Sequence, residues 1–186
     1  MEARSEGRPT DRERERIAAA LTESDNRAAE ELWASLGGPA AAASAVERVL
    51  ALAGDRSTRV ETRILRPGFT PFGQTQWSLA AQVRLMASLP GLPHSEPIRE
   101  LMRRVVPEQR WGLGGLAEEA ELKGGWGPDP DGRYLVRQMG IVDLAGGPLA
   151  VTMATMPADG TEASGTKNLD RLAEWLGSSE LARGHE

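Results

Sequence analysis

The chain has 186 residues, a net charge of -5 and no cysteine. This length fits one domain with a single buried core. The missing cysteines exclude disulfides and thiolate sites, and the acidic balance gives no basis for nucleic-acid binding. Its two histidines are His94, in a proline-rich loop, and His185, next to the C-terminus. We therefore expect no metal centre and no other cofactor.

The first residues carry charges of both signs and contain no apolar run. Residues 1–9 are therefore predicted to be a disordered tail and not a secretory signal. Taken as given, the chain is expected to stay in the cytoplasm, and no window is long and apolar enough for a membrane span. Thr10-Asp11-Arg12-Glu13 fits a capping box, which predicts a helix that ends near Thr22.

Two more helices are predicted on either side of a glycine pair. Ser24-Asp25-Asn26 indicates a turn, because these side chains favour local bonds to the backbone. A helix over residues 27–36 follows it. Leu36-Gly37-Gly38-Pro39 then ends that helix and starts the next, over residues 40–53. Gly54 is expected to terminate the third helix.

The middle of the chain alternates between loop and helix. Proline and glycine predict a loop over residues 55–76, in which only residues 58–65 could form a strand. Apolar spacing predicts helices over residues 77–89 and 96–105, the latter capped by Ser95.

The last part has the pattern of a meander closed by a helix. Strands are predicted over residues 120–125, 134–142 and 148–156, the last with both faces mostly buried. A helix over residues 163–176 is expected to pack inward through Leu169, Leu172, Trp175 and Leu176. The order predicts an α+β domain over residues 10–176, with a helical lobe (10–106), then an antiparallel three-stranded sheet and a C-terminal helix (107–176), and a tail (177–186).

Two short motifs in this setting resemble signatures of the serine β-lactamase and penicillin-binding-protein superfamily, and class A β-lactamases in particular. They are Ser24-Asp25-Asn26 after the first helix and Lys123-Gly124-Gly125 at the first strand. The resemblance runs from about Thr10 to Leu176. It implies a β-lactamase-like domain without the N-terminal strands and the helix that carries the nucleophile.

In the family, a serine attacks an amide or β-lactam carbonyl and forms an acyl-enzyme. The resemblance implies that Ser24 relays a proton to the departing nitrogen. Asn26 would hold the site together and bind the substrate's side-chain amide. Lys123 would bond Ser24 and attract the substrate carboxylate. This assignment requires the Ser24 hydroxyl and the Lys123 ammonium to meet in one crevice.

The resemblance also implies a substrate-binding set made of Asp25, Gly124, Gly125 and Trp126. The Trp126 N–H would be an oxyanion donor, and the two glycines would let a ligand approach the strand closely. Gly124 departs from the family pattern, in which a Thr or Ser hydroxyl contacts the substrate carboxylate. The tryptophans Trp33, Trp77 and Trp175 are expected in the core.

The nucleophile motif is missing from its family position, because no Ser-x-x-Lys precedes Ser24. Ser164-Gly165-Thr166-Lys167 has the spacing but opens the closing helix, so we interpret it as an ordinary helix start. In the loop over residues 55–76 the only acids are Asp55 and Glu61, and neither lies in the family's Glu-x-x-Leu-Asn pattern. Fast β-lactam turnover is therefore not expected.

The sequence thus predicts a β-lactamase-like serine hydrolase domain that is inactive as given. By resemblance, its ligand is a small molecule or peptide with an amide or β-lactam carbonyl. Two alternatives stay open: a non-catalytic peptide- or glycan-binding module, and an unrelated α+β interaction domain. Family members usually work outside the cytoplasmic membrane, so the cellular location of the full-length product stays open. An exposed apolar face, and with it self-association, is expected where the absent elements would pack.

Overall fold

The predicted α+β fold is confirmed by the structure, a computed structural model that describes residues 9–66, 73–179 and 182. Helices come first, then an antiparallel sheet, then a closing helix. The elements are α1 (Asp11–Thr22), α2 (Asn26–Ser35), α3 (Pro39–Leu52), α4 (Leu79–Ser88), α5 (Glu96–Arg103), β1 (Glu121–Pro128), β2 (Tyr134–Leu144), β3 (Gly147–Thr155) and α6 (Glu162–Ser178).

The first helices begin and end where local signals predict. The Glu13 N–H donates to Thr10 Oγ1 at 3.2 Å and the Thr10 N–H donates to Glu13 Oε2 at 2.8 Å, which confirms the capping box. Pro39 opens α3, where its missing N–H costs no helical hydrogen bond. Gly54 follows α3 with a φ of +85°, a conformation that glycine adopts without a steric penalty.

The sheet has the order β1-β2-β3 and lies between two layers of helices. Side chains alternate between its faces, so Leu122 and Lys123 point to opposite sides. One face packs on α6 in a core that includes Leu122, Val136, Leu169 and Ala173. The other face, which includes Met139, packs on α4 and α5. The remaining helices α1, α2 and α3 join the molecule through contacts of α1 with α5.

Several predictions about burial are wrong. Leu172 and Trp175 on α6 are 41% and 66% exposed, because the inward face of this helix consists of Leu169, Ala173 and Leu176. In β3, an edge strand, only Met153 is buried. Trp33 and Trp77 are half-buried and do not lie in the core.

The outer side of β3 forms an apolar groove with α4. This groove has a volume of about 320 Å³ and is lined by Leu79, Ala80, Val83, Leu149, Ala150, Val151, Thr152 and Leu176. The β3 side of the sheet thus has an exposed apolar surface, and the expectation that absent elements would pack there stays a prediction.

The possible strand at residues 58–65 does not form. The Val60 N–H donates to Glu47 Oε1 at 2.8 Å, and the Glu61 N–H donates to Thr75 Oγ1 at 3.0 Å. Side chains thus take backbone donors that a strand would give to a neighbouring strand. Residues 67–72 of the predicted loop lie outside the described residues.

Other end signals differ in detail. Ser95 precedes α5, but its side chain makes no capping hydrogen bond. In the predicted C-terminal tail, Ala182 is buried and its carbonyl accepts a hydrogen bond from the Gly146 N–H at 3.2 Å, so this residue is not frayed. Most of the predicted N-terminal tail lies outside the described residues. None of the described helices is long and apolar enough to cross a membrane.

We predict that Gly165→Ala destabilises the fold by about 1–3 kcal/mol, as overpacked cores do. A Cβ at Gly165 would lie 2.4 Å from Val136 Cγ2, in the contact between α6 and β2. Gly177→Ala in the same helix is the control, because its Cβ would meet only the end of the Leu116 side chain. Urea unfolding should rank Gly165→Ala well below Gly177→Ala. Equal stabilities would contradict the close packing of α6 on β2.

Candidate active site

The two motif residues that the resemblance pairs lie in direct contact. The Lys123 ammonium donates one hydrogen bond to Ser24 Oγ and another to the Gly124 carbonyl oxygen, the latter at 2.9 Å. Ser24 and Lys123 are 99 positions apart in the chain. The contact that the assigned roles of Ser24 and Lys123 require is therefore present, while the catalytic roles of both residues stay predictions.

Ser24 is held in an unusual backbone conformation. Its φ of 58° lies in the left-handed region, which costs a non-glycine residue about 1 kcal/mol. The surrounding turn is fastened to the segment after α5, because the Val106 N–H donates to the Thr22 carbonyl oxygen at 3.0 Å. The Ser24 hydroxyl in turn donates to Gln109 Oε1 at 2.6 Å. These contacts keep the Ser24 side chain on the Lys123 side of the turn.

The Lys123 ammonium is largely removed from water. Burial lowers the pKa of Lys123 from the ordinary 10.5 to about 8. No acidic side chain in the described part of the chain forms an ion pair with it. At mildly alkaline pH this lysine is therefore present both with and without its proton.

Arg137 is a site residue that the sequence analysis missed. In the β1–β2 register it stands opposite Gly125, and neighbours in register share a face. It therefore lies on the Lys123 face, with its Nε 4.0 Å from where a Cβ on Gly125 would be. Burial lowers the pKa of Arg137, and within the described ranges its guanidinium has no hydrogen-bond or ion-pair partner. The sequence contains no distinct signal for it, because β2 also contains the polar residues Gln138 and Asp143.

The space beside Gly124 is taken by an indole ring. A Cβ at Gly124 would lie 2.8 Å from two ring atoms of Trp111. Trp111 meets Trp126 edge to face, with ring centroids 6.2 Å apart. A hydroxyl-bearing side chain at position 124 would therefore meet the Trp111 ring, while the expected role of Gly124 in ligand binding stays a prediction.

The loop that carries Trp111 is anchored from two elements. The buried Gln138 of β2 donates to the Trp111 carbonyl oxygen at 2.7 Å and accepts from the Leu113 N–H at 2.8 Å. Asp170 of α6 accepts from the Gly112 N–H at 2.6 Å. Because both sides of the loop are bonded, the position of the Trp111 ring is fixed.

The other two residues of the first motif do not join the site. Asp25 caps α2 by accepting from the Ala28 N–H at 2.8 Å, so its carboxylate serves the helix. Asn26 is exposed and makes no side-chain hydrogen bond with the described residues. Asn26 thus opens α2 at the surface, and its expected roles in holding the site together and in binding the substrate's side-chain amide stay predictions.

The Ser-x-x-Lys match lies away from this site. Ser164 sits in the first turn of α6 and donates to Asp159 Oδ2 at 2.5 Å. The neighbouring Gly165 packs on Val136, which is on the sheet face opposite Lys123. The interpretation as an ordinary helix start is confirmed.

The two acids of the loop are engaged locally. Hydrogen bonds, chiefly from the Thr58 hydroxyl, hold the pKa of Asp55 well below its usual range. Hydrogen bonds from Arg63 lower the pKa of Glu61 to about 2. Neither carboxylate is free to act as a base toward Lys123 or Ser24.

A buried ion group lies beside the site. Glu121 accepts from Arg99 at 2.8 and 2.9 Å and from Arg103 at 2.5 Å. Both arginines belong to α5, so this group joins the helical lobe to the start of β1. Glu121 is two residues before Lys123 and on the same face of the strand.

Neither a protein-family model nor a curated protein matches this chain. Solved structures do match it. The β-lactamase from Streptomyces albus G is 25% identical with a TM-score of 0.61, and the match covers 89% of this chain and 64% of that chain. A β-lactamase from Xanthomonas campestris is 24% identical with a TM-score of 0.61, over 89% and 64%. A variant of a reconstructed ancestor of Gram-negative class A β-lactamases is 23% identical with a TM-score of 0.61, over 90% and 66%.

These matches define the class of the fold. The chain has a class A β-lactamase-like fold, in agreement with the resemblance seen in the sequence. The particular arrangement is partial, since the chain spans about two thirds of the length of the solved β-lactamases it matches. An α+β domain of a different fold is therefore excluded, while the function of the domain stays a prediction.

We predict that Lys123 makes folding more favourable as the pH rises from about 8 to about 10.5. In this window the unfolded chain keeps the lysine proton that the folded chain releases. The free energy of unfolding of the wild type should therefore gain up to about 1.4 kcal/mol per pH unit relative to Lys123→Met. Urea unfolding of both proteins across this window measures the difference, and Lys167→Met is the control. Parallel curves for the wild type and Lys123→Met would contradict the lowered pKa.

Proposed function

We propose that this chain carries the proton-relay and anion-binding part of a β-lactamase-like serine hydrolase site, without the attacking serine. The observation that carries the proposal is the hydrogen bond from Lys123 to Ser24. It joins the two motif residues of the resemblance in a chain with a class A β-lactamase-like fold. The lowered pKa of Lys123 supports a role in proton transfer, since pKa values shifted toward neutrality are typical of such groups.

The proposed ligand carries a carboxylate near its amide or β-lactam carbonyl. Lys123 and Arg137 present two cations on one sheet face, and neither has an acidic partner within the described residues. A bound carboxylate would supply that missing charge with charge-assisted hydrogen bonds. In this proposal Arg137 takes over the recognition that a hydroxyl at position 124 gives in the family.

Binding without acylation is the proposed behaviour of the chain as given. No Ser-x-x-Lys precedes Ser24, and Ser164 lies on the other side of the sheet. A ligand bound at Lys123 would therefore meet a relay hydroxyl but no nucleophile. The closest alternative is the non-catalytic peptide- or glycan-binding module. It differs from this proposal in its ligand, which would be a peptide or glycan and would not need a carboxylate.

We predict that benzylpenicillin and a D-alanyl-D-alanine peptide bind reversibly and that Lys123→Met weakens binding by about tenfold or more, the value of one charge-assisted contact. Arg137→Leu should weaken it similarly. Lys167→Met is the matched control, because Lys167 is the other lysine of the chain and is exposed on α6. Titration calorimetry measures affinity. Intact mass after incubation with a fluorescent penicillin should show no covalent adduct.

Three outcomes separate the hypotheses. A penicillin adduct would refute the absence of a nucleophile. If Lys123→Met and Lys167→Met bound these ligands with equal affinity, the proposed anion site would be refuted. Binding of a peptide or glycan without a carboxylate, lost on Lys123→Ala in a folded protein, would favour the non-catalytic module.

We also propose that the chain associates with itself through the apolar groove between α4 and β3. The groove combines exposed apolar side chains with the free edge of β3, and both promote association. We expect light scattering to report a species larger than the monomer. Val151→Lys in the groove should restore the monomer, while Leu52→Glu, at an exposed leucine of α3 outside the groove, should not. A monodisperse wild-type monomer would contradict this proposal.

A further inference from the structure

We infer that Gln109 is a positioning residue that sets the direction of the Ser24 hydroxyl, so that Ser24 accepts a hydrogen bond from Lys123 and gives its own proton to Gln109. The inference rests on the proposed function, in which Ser24 is the relay group. It adds a residue outside both sequence motifs. Gln109 ends the short 3-10 turn Pro107–Gln109, between α5 and Trp111.

The orientation of the Gln109 amide follows from its two partners. Its Nε2 donates to the Glu23 carbonyl oxygen at 2.9 Å, and its Oε1 lies 2.6 Å from Ser24 Oγ. A backbone carbonyl can only accept, so the NH₂ group of the amide must face Glu23. The amide oxygen therefore faces Ser24, and only the Ser24 hydroxyl can donate in that contact.

This orientation determines what Lys123 can do. A serine hydroxyl has one hydrogen, and here that hydrogen is directed to Gln109. Lys123 must then be the donor in its contact with Ser24. Without Gln109, the hydroxyl could turn and donate to the lone pair of a neutral Lys123. Gln109 thus favours the protonated form of this lysine.

The same geometry gives the relay a defined starting state. In a site completed by a nucleophile, the bond between the nucleophile and the carbonyl carbon forms, and the ligand nitrogen leaves with the electron pair of its C–N bond. The Ser24 O–H would then turn from Gln109 Oε1 to that nitrogen, its O–H bond breaking as the N–H bond forms, and a Lys123 proton would move to Ser24 Oγ and leave Lys123 neutral. In the chain as given no C–N bond breaks, so the Ser24 proton stays directed at the Gln109 amide oxygen.

Among the described residues, Arg137 and Glu121 are the charged side chains that neighbour Lys123 on its face of the sheet. Arg137 faces it from β2, and Glu121 on β1 is paired with Arg99 and Arg103 of α5. Glu23 and Gln109 approach through backbone and amide groups. A substitution at Gln109 therefore changes the immediate partner of Ser24 while the charges on the sheet face stay the same.

The test measures the pKa of Lys123 directly in the full chain without ligand. The sequence contains two lysines, so protein made with isotope-labelled lysine gives one NMR signal for Lys123 and one for Lys167. The variants are Gln109→Leu, which removes the amide, and Gln109→Glu, which places a carboxylate there. Gln76→Leu is the control, because it makes the same chemical change at an exposed position.

We expect Gln109→Leu to lower the pKa of Lys123 by about half a unit or more, the value of one redirected hydrogen bond. Gln109→Glu should raise it by about 1 unit, as a nearby opposite charge does. Gln76→Leu should leave it unchanged. The Lys167 signal reports in the same spectrum that the protein is intact.

Opposite shifts in the two Gln109 variants support a positioning role. An unchanged pKa in both folded variants, or a rise in both, would overturn it and leave Gln109 as a structural clip. If Gln109→Leu does not fold, Gln109→Ala takes its place, because it also removes the amide. Because no ligand is used, failure of anion binding would refute the proposed function without affecting this result.

Discussion

The arrangement of the helical lobe and the sheet depends on the ion pairs that the buried Glu121 carboxylate forms with two arginines. It is 5% exposed and accepts hydrogen bonds from Arg99 and Arg103, so α5 and the first residue of β1 are fixed to each other. A buried charge is tolerated only when its oxygens are paired and hydrogen-bonded, which two guanidiniums achieve here. Because α5 also contacts α1, it fixes the position of the turn that carries Ser24 relative to the strand that carries Lys123.

Along the same face of the sheet, satisfied and unsatisfied charges lie side by side. Glu121 has two cationic partners, Arg99 and Arg103. Lys123 and Arg137 have no acidic partner in the described ranges. Desolvation disfavours the charged form of both cations, and this cost persists in the absence of a ligand anion. The two sets of charges thus have different roles. The Glu121 ion group holds α5 against β1, and Lys123 and Arg137 are available to bind an anion.

Much of the fold is readable from local signals. The capping box at Thr10 and Pro39 after two glycines each act over a few residues, so the sequence determines them without tertiary context. The contact between Ser24 and Lys123 could be anticipated only through the resemblance. Arg137 and Gln109 could not be anticipated, because their positions follow from strand register and from one long-range hydrogen bond. The exposure of Trp175 was missed because apolar residues cover more of α6 than its buried face, so their spacing does not tell which of them the core covers.

The indole of Trp111 against the Gly124 backbone constrains how this chain can change over time. A hydroxyl-bearing residue at position 124 collides with a ring whose loop is hydrogen-bonded to Gln138 and Asp170 of two other elements. Position 124 therefore cannot change independently: a smaller residue must replace the indole first, or both must change together. The glycine is thus retained by sterics even where selection on ligand binding is relaxed.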